Sequence, residues 1–300
     1  MRSSRVPIAA LAVALTLTGC VPRSPGASGS GSGAEPSAAA PAAVTEIEIN
    51  KSYWYAGFKV TLNTARVVAS SSGAGKSVTV EGVFQNLSPE HEGTPTEDVL
   101  LTVGDRTYAE LDNSLSDLPE VPAQRSQPGT YAFAVDEHFV LPEAVLIAGK
   151  PTNRQATVPF SGPDGLVALE PVPVPVKGKV RRTSAGSVFM SVSAVEVRSD
   201  EPRLHGQAPT GQEFLRLAFS ATNNSAAGFA WVFDRDLQLK LPDGTSVGTD
   251  DNCSRAQIYP PPHATADGGL ACFLVPAPAN GTYLLSWDRY EKGALRVPVD

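Results

Sequence analysis

Three hundred residues, a net charge of -7 and a pI near 5.2 exclude a polyanion such as nucleic acid as the main partner, because phosphate binding needs a basic face. The length suits about two domains. With 26 glycines, 26 prolines and no long run of 3.6-residue periodicity, the chain is predicted to be all-β, built from strands and turns.

The first stretch reads as an export signal. Arg2 and Arg5 precede an apolar run from Ile8 to Leu17 that is too short to span a bilayer. Leu17-Thr18-Gly19-Cys20 follows it. This resembles the lipobox of bacterial lipoproteins, in which small residues precede a cysteine. The resemblance implies that residues 1–19 are a signal peptide and that Cys20 carries a diacylglyceryl group. It also implies that the protein sits on the extracytoplasmic face of the cell membrane, with the membrane as its partner through the lipid. More than one acyl chain gives stable anchoring where a single chain gives only marginal binding. Residues 20–44 are rich in Ala, Ser, Gly and Pro and carry no aromatic residue, so they are expected to be a flexible tether. Its coil dimension is on the order of 27 Å.

The first folded unit is predicted over 45–161. Phe58, Val60 and Leu62 alternate with polar residues, and the phase then slips by one so that Ala65 and Val67 continue the apolar face. That slip is what a β-bulge produces. Val78 and Val80 open a strand ending at Asn86-Leu87-Ser88, and alternation resumes at Val99–Val103 and Tyr131–Val135.

The second unit, 176–300, repeats this order. Val188, Met190 and Val192 stand 130 residues after Phe58, Val60 and Leu62, and the same slip leads to Val195 and Val197. Glu213–Ser225 matches Ser77–Ser88, both ending in an Asn-containing turn. Leu237, Leu239 and Leu241 match Val99, Leu101 and Val103, and Phe273 and Val275 match Phe133 and Val135. The pattern is that of a tandem duplication, with two units expected to fold separately. Between them lies a Pro-rich spacer, 162–175, ending Glu170-Pro171-Val172-Pro173-Val174-Pro175. Alternating prolines favour polyproline II. The alternative is an edge strand of the second unit, the place in a sheet where Pro is tolerated.

Seven or so short alternating strands per unit describe an immunoglobulin-like β-sandwich. The apolar strand ending in Asn86-Leu87-Ser88 or Asn223-Asn224-Ser225 is followed by an aspartate-led strand and a Gly-containing turn, Asp236-Leu237 and Asp243-Gly244 in the second unit. In this the chain resembles the Ig-like secreted domain of unknown function found in many Gram-positive and actinobacterial lipoproteins. Its fold is related to that of the mycobacterial immunoprotective antigen. The resemblance implies fold and location, not chemistry. The first unit departs from it, with His91, Gly93 and Pro95 where the second has Phe229, Trp231 and Phe233.

No catalytic constellation stands out. The four histidines are scattered, without HExxH or CxxC spacing, and there is no GxSxG or Gly-rich phosphate loop. No cofactor and no metal are expected. Asp136-Glu137-His138 and Asp250-Asp251-Asn252 read as solvated loops. With Cys20 lipidated, Cys253 and Cys272 are an even pair in an oxidising setting and are predicted to form a disulfide. Cys272 should point away from the core-facing Phe273, with the bond pinning the polar loop before Cys253 over the outer face. Phe229, Trp231 and Phe233 alternate and are the candidate contact patch. The basic run Lys177–Arg182 reads as a charged edge strand. The expected function is a non-enzymatic binding or adhesion module, or an accessory subunit of an envelope complex, with an envelope protein or the cell wall as partner. A small-ligand carrier is the alternative, and an envelope enzyme comes third.

Overall fold

A computed structural model describes residues 45–69, 75–96, 98–111, 116–176, 179–182, 188–227, 231–232, 237–254, 257–287 and 295–299. Among them the chain is all-β, as composition and periodicity predict; the one helical element is a single 3-10 turn, Leu141–Glu143.

The first half contributes β1 (Thr45–Tyr55), β2 (Phe58–Ala69), β3 (Lys76–Asn86), β4 (Val99–Val103), β5 (Arg106–Ala109), β6 (Ser126–Val135), β7 (Val145–Ala148) and β8 (Ala156–Pro159). They form two antiparallel sheets, β1-β2-β3-β6 and β5-β4-β7-β8. Residues from both sheets share one core in which Tyr53, Phe58, Phe84, Tyr131 and Phe133 are buried. Phe84 meets Tyr131 edge-on at 5.4 Å, the preferred geometry for aromatic quadrupoles. The predicted phase slip is a bulge: pairing of β2 with β3 shifts between Leu62 and Thr64, which lets Leu62 and Ala65 both face inward. The β1–β2 hairpin turns at Ala56 (φ 46) and Gly57 (φ 81), both left-handed, as a tight two-residue hairpin requires.

The second half contributes β9 (Val172–Val174), β10 (Lys179–Arg182), β11 (Val188–Arg198), β12 (Asp200–Glu201), β13 (Gly206–Gln207), β14 (Gln212–Asn223), β15 (Trp231–Val232), β16 (Leu237–Lys240), β17 (Ser246–Gly248), β18 (Gln257–Ile258), β19 (Ala264–Pro276), β20 (Gly281–Trp287) and β21 (Leu295–Val299). One sheet runs β10-β11-β14-β19, with β9 also on β11; the other runs β17-β16-β20-β21. A second core of Met190, Leu215, Leu217, Leu239, Phe273 and Leu285 among others lies between them. The bulge recurs in β11 between Val192 and Ala194.

Of the two readings of the Pro-rich spacer, the edge strand is the one observed. Val172–Val174 pairs with Val195–Val197 of β11, and Pro173 is accommodated because that strand lies at the sheet's border. The start of the spacer adheres to the first sandwich: Val167 and Thr157 exchange backbone bonds of 2.8 and 3.0 Å, and Trp54 N donates to Ala168 O at 2.8 Å. β10, the predicted charged edge, pairs with Val188–Ser191 and ends its sheet.

The duplication extends to individual hydrogen bonds. Asn86 Nδ2 donates to the carbonyls of His91 and Val121, both at 2.9 Å, and Ser88 N donates to Asn86 Oδ1. Asn223 Nδ2 donates to Ala227 O and Pro260 O, and Ser225 N to Asn223 Oδ1. Each asparagine ties a strand end to two passing loops through a buried amide, which explains the Asn in both repeats.

Candidate functional site: the arm, its socket and the disulfide loop

The repeats differ between their second and third long strands. In the first half β2 and β3 are joined by the six residues 70–75; in the second, β11 and β14 are joined by thirteen, 199–211. Those thirteen residues form an arm. It folds back on itself as the β12–β13 ribbon, Asp200 opposite Gln207 and Glu201 opposite Gly206, and it docks against the first sandwich.

The socket is made by the β1–β2 turn, the segment after β3 and the loop 149–154. Asp200, 1% exposed, accepts from Gly57 N at 2.9 Å through Oδ2. Gln207 receives Ala56 N on Oε1 at 2.9 Å and donates through Nε2 to Arg154 O at 3.0 Å. Arg154 N donates to Ala208 O, Thr210 N to Thr152 O, and the Thr210 hydroxyl lies 2.7 Å from Pro151 O. Arg154 pairs with Glu213. His205, at φ 49, stacks on Phe58 with centroids 5.2 Å apart and planes 20° apart. Its Nε2 is 3.1 Å from Asn86 Oδ1. Asn86 Nδ2 is committed to two carbonyls, so its Oδ1 is an acceptor and His205 Nε2 must carry the proton. Burial, and then the charge of nearby His91, lowers the proton affinity of His205. Gly93 lies beneath the ring: a Cβ there would sit 2.5 Å from it.

The base of the arm is ionic. Arg198 Nε bonds Asp200 Oδ1 at 2.9 Å and its Nη1 bonds Glu196 at 3.0 Å; Arg216 bonds the same Glu196 at 2.8 Å and faces Glu201 Oε2 at 3.3 Å. Burial opposes the charge of Arg198, but Asp200 and Glu196 outweigh it and raise its affinity for the proton. Such buried networks add little net stability, yet losing one member is costly.

Behind the arm lies the predicted disulfide, Cys253–Cys272, with Cα atoms 5.7 Å apart. As expected from alternation, Phe273 enters the main core while Cys272 faces the other way. That other side is not open to water. Cys253, Cys272, Phe214 and Ala208 form a small separate core, joined by Leu274, because the arm and the loop before Cys253 cover the sheet there. A cleft of about 270 Å³ runs between arm and loop, lined by Glu201, Leu204, Phe214, Asp250, Cys253 and Leu274 among others.

Of the other residues singled out from sequence, Cys20, Phe229 and Phe233 lie outside the described residues. Trp231 lies in β15, opposite Ile258 of β18. Asp136 is tied to Arg106, to the Tyr108 hydroxyl at 3.0 Å and to His138 N at 2.9 Å, so it closes its own loop. Asp250 Oδ1 accepts Asn252 N at 2.8 Å, an ordinary Asx turn. Glu201 and the two cysteines form a cluster of metal-ligating types, but the sulfurs are bonded to each other and offer no thiolate. The arm, His205 and Asp200 went unread. Their signal was the length and polarity of Ser199–Gly211 against its short counterpart.

No family model, no curated protein and no solved structure matches the chain.

Proposed function

We propose that the protein is a lipid-anchored, extracytoplasmic binding module, non-enzymatic, acting as an adhesion or accessory component of the cell envelope. The observation that carries this is Leu17-Thr18-Gly19-Cys20 after a short apolar run, followed by a tether that lacks core-forming residues. The architecture is in keeping with it. Two sandwiches of immunoglobulin-like pattern, latched by a docked arm, make a rigid body that the tether expected from the sequence would hold near the membrane and free to reorient. On the sequence, the contact surface is the run of Phe229, Trp231 and Phe233.

The test has two arms. Cys20→Ala should move the protein from the membrane fraction into the medium or leave it as precursor, and mature wild-type chain without lipid would end the anchoring reading. Crosslinking in intact cells, followed by identification of the captured envelope component, tests the binding reading; Trp231→Ala should reduce capture.

A small-ligand carrier is the second reading, favoured by the cleft beside Cys253. At about 270 Å³ it lies just below the usual range of ligand pockets. A thermal-shift screen of the full chain that raised its melting point with a small molecule would favour it.

A further inference from the structure

Three groups converge at the floor of the cleft. Cys253 Sγ, Cys272 Sγ and a carboxylate oxygen of Glu201 all lie within 4.8 Å of one another. They come from three elements: the loop before β18, the strand β19 and the arm strand β12. Cys253 is among the residues lining the cleft and Cys272 is not; Cys253 is only 1% exposed, so a reagent that pushes past the rim meets Cys253 before Cys272. Leu204 stands half out of the protein at its rim. The neighbours of Glu201 are few. Its Oε1 accepts from Arg203 N at 3.1 Å, and Oε2 faces Arg216 Nε at 3.3 Å without the geometry of a hydrogen bond. Arg198 and Asp200 lie beyond in the same network, and Asp250 shares the cleft. Burial pushes the Glu201 carboxyl above its ordinary value despite the two arginines.

The duplication supplies an independent observation. In the first sandwich Ala132 holds the place of Cys272. Leu111 N donates to Ala132 O at 2.8 Å, and Ala132 N to the Ser116 hydroxyl at 2.9 Å. In the second, Asp250 N donates to Cys272 O at 2.8 Å, and Cys272 N to the Ser254 hydroxyl at 3.1 Å. In both sandwiches this strand position takes one backbone bond and gives one to a serine hydroxyl of the covering segment, with and without sulfur. The bond is thus dispensable for the topology, and it lies buried beside a proton donor at the floor of a cleft.

We propose that Cys253–Cys272 is an exchangeable disulfide for a small thiol, with Glu201 as the proton donor to the leaving sulfur. The thiolate enters the cleft and attacks Cys253 Sγ. A sulfur–sulfur bond forms between reagent and Cys253 while the Cys253–Cys272 bond breaks. The electron pair stays on Cys272, which takes the proton of Glu201, leaving a carboxylate beside Arg216. A second thiolate, or the second sulfur of a dithiol, then attacks the mixed disulfide. The reagent leaves as its own disulfide and Cys253 as a thiolate, which takes a proton from water in the cleft. The donor matters because an unprotonated thiolate in this apolar pocket is costly and exchange is slow when the leaving sulfur is a poor anion. Reduction also removes the disulfide wall against which Ala208 packs, and Ala208 O is one of the arm's bonds to the first sandwich. The thiol state therefore bears on how firmly the two sandwiches are latched.

The experiment treats the oxidised full chain, without denaturant, with dithiothreitol or glutathione from pH 5 to 9, and counts alkylated cysteines by mass. Rates are normalised to thiolate concentration. The wild-type rate should rise in proportion to thiol and fall as pH passes the titration of Glu201. Glu201→Gln should be at least tenfold slower and lose that pH step. Leu204→Trp, which closes the rim, should slow exchange without lowering the melting point. Should Glu201→Gln fail to fold, Glu201→Asp, with the carboxyl drawn back by one methylene, should give intermediate slowing. A rate independent of thiol concentration, which means reaction only after unfolding, overturns the proposal. So does a Glu201 variant that folds and exchanges at the wild-type rate.

Discussion

The two sandwiches carry the same strand order and the same buried asparagines, yet one offers a socket and the other an arm. The difference is written at matched positions. Gly93 of the first repeat stands where the second has Trp231. At Gly93 the His205 ring fills the space a side chain would need. The missing aromatic of the first repeat is thus the mark of a neighbour's residue occupying its place. In the same way Ala132 is small where Cys272 is bonded, and Leu111 and Ser116 are tied to it by hydrogen bonds. The cores differ at matched positions as well: buried Phe84 and Tyr131 of the first sandwich stand where the second has Ala221 and Ala271.

The sharpest way to break the asymmetry is at the root of the arm. Asp200→Ala removes the carboxylate that Arg198 Nε and Gly57 N share, leaving Arg198 with only Asp200 O and Glu196 and the buried Gly57 amide without an acceptor. It should cost about 3–5 kcal/mol, read as a fall in the denaturant midpoint, with Gly57 N losing protection from hydrogen exchange. A cost below about 1 kcal/mol would mean that the arm does not latch the sandwiches.

Next in size is the covalent difference. Cys272→Ser opens a loop of sequence separation 19, worth roughly 3 kcal/mol in the chain-entropy picture. Most of the loss should fall on the second sandwich, because Ala132 already does without a disulfide, with a smaller part at the junction through Ala208. Calorimetry that showed both sandwiches weakened equally would tie the disulfide to the junction rather than to its own unit.

Much of this was legible because β-structure declares itself in alternation. Phe58, Val60, Leu62 and the slip to Ala65 predict a strand and its bulge, and both are present. Cys272 next to Phe273 fixed which way the sulfur points. The outer face was harder. Period-two alternation says only that Cys272 leaves the main core, not that Ala208 and Phe214 will build a second small core around it. The socket was not legible at all. His205, Asp200 and Gln207 are polar residues in a turn-rich stretch, and such residues are ordinarily solvated. Their burial depends on the first sandwich presenting Gly57, Asn86 and Gly93, a coincidence of distant residues that periodicity does not register.

A matched pair of asparagine variants sharpens the comparison at intermediate cost. Asn86→Ala and Asn223→Ala each strip two buried carbonyls of their donor, at about 1–3 kcal/mol. Asn86→Ala should cost more, because its Oδ1 also receives His205 across the junction, whereas the second donor to Asn223 Oδ1 is the neighbouring Ser225 hydroxyl, which can turn to water. Equal losses in urea melts of the two variants would show that the His205 bond contributes no more than the local Ser225 bond.

The smallest expected effect is the pH dependence of the junction. In its neutral form His205 donates from Nε2 to Asn86 and lays an uncharged ring on Phe58. A second proton, on Nδ1, would charge a half-buried ring beside His91, which is why its proton affinity is lowered. A group held below its unfolded value contributes stability that is complete above that value, about 6.5 for histidine, and is lost as pH falls through the folded one. Glu201, displaced upward, contributes in the opposite sense, gaining on acidification. The two are separated by His205→Phe, which keeps the stack but cannot titrate. Between pH 7.5 and 5 the wild type should lose stability relative to this variant, and the Gly93 amide resonance should shift in the wild type as the ring departs. Parallel stability curves for the two proteins would place the acid sensitivity elsewhere and leave His205 as a packing residue alone.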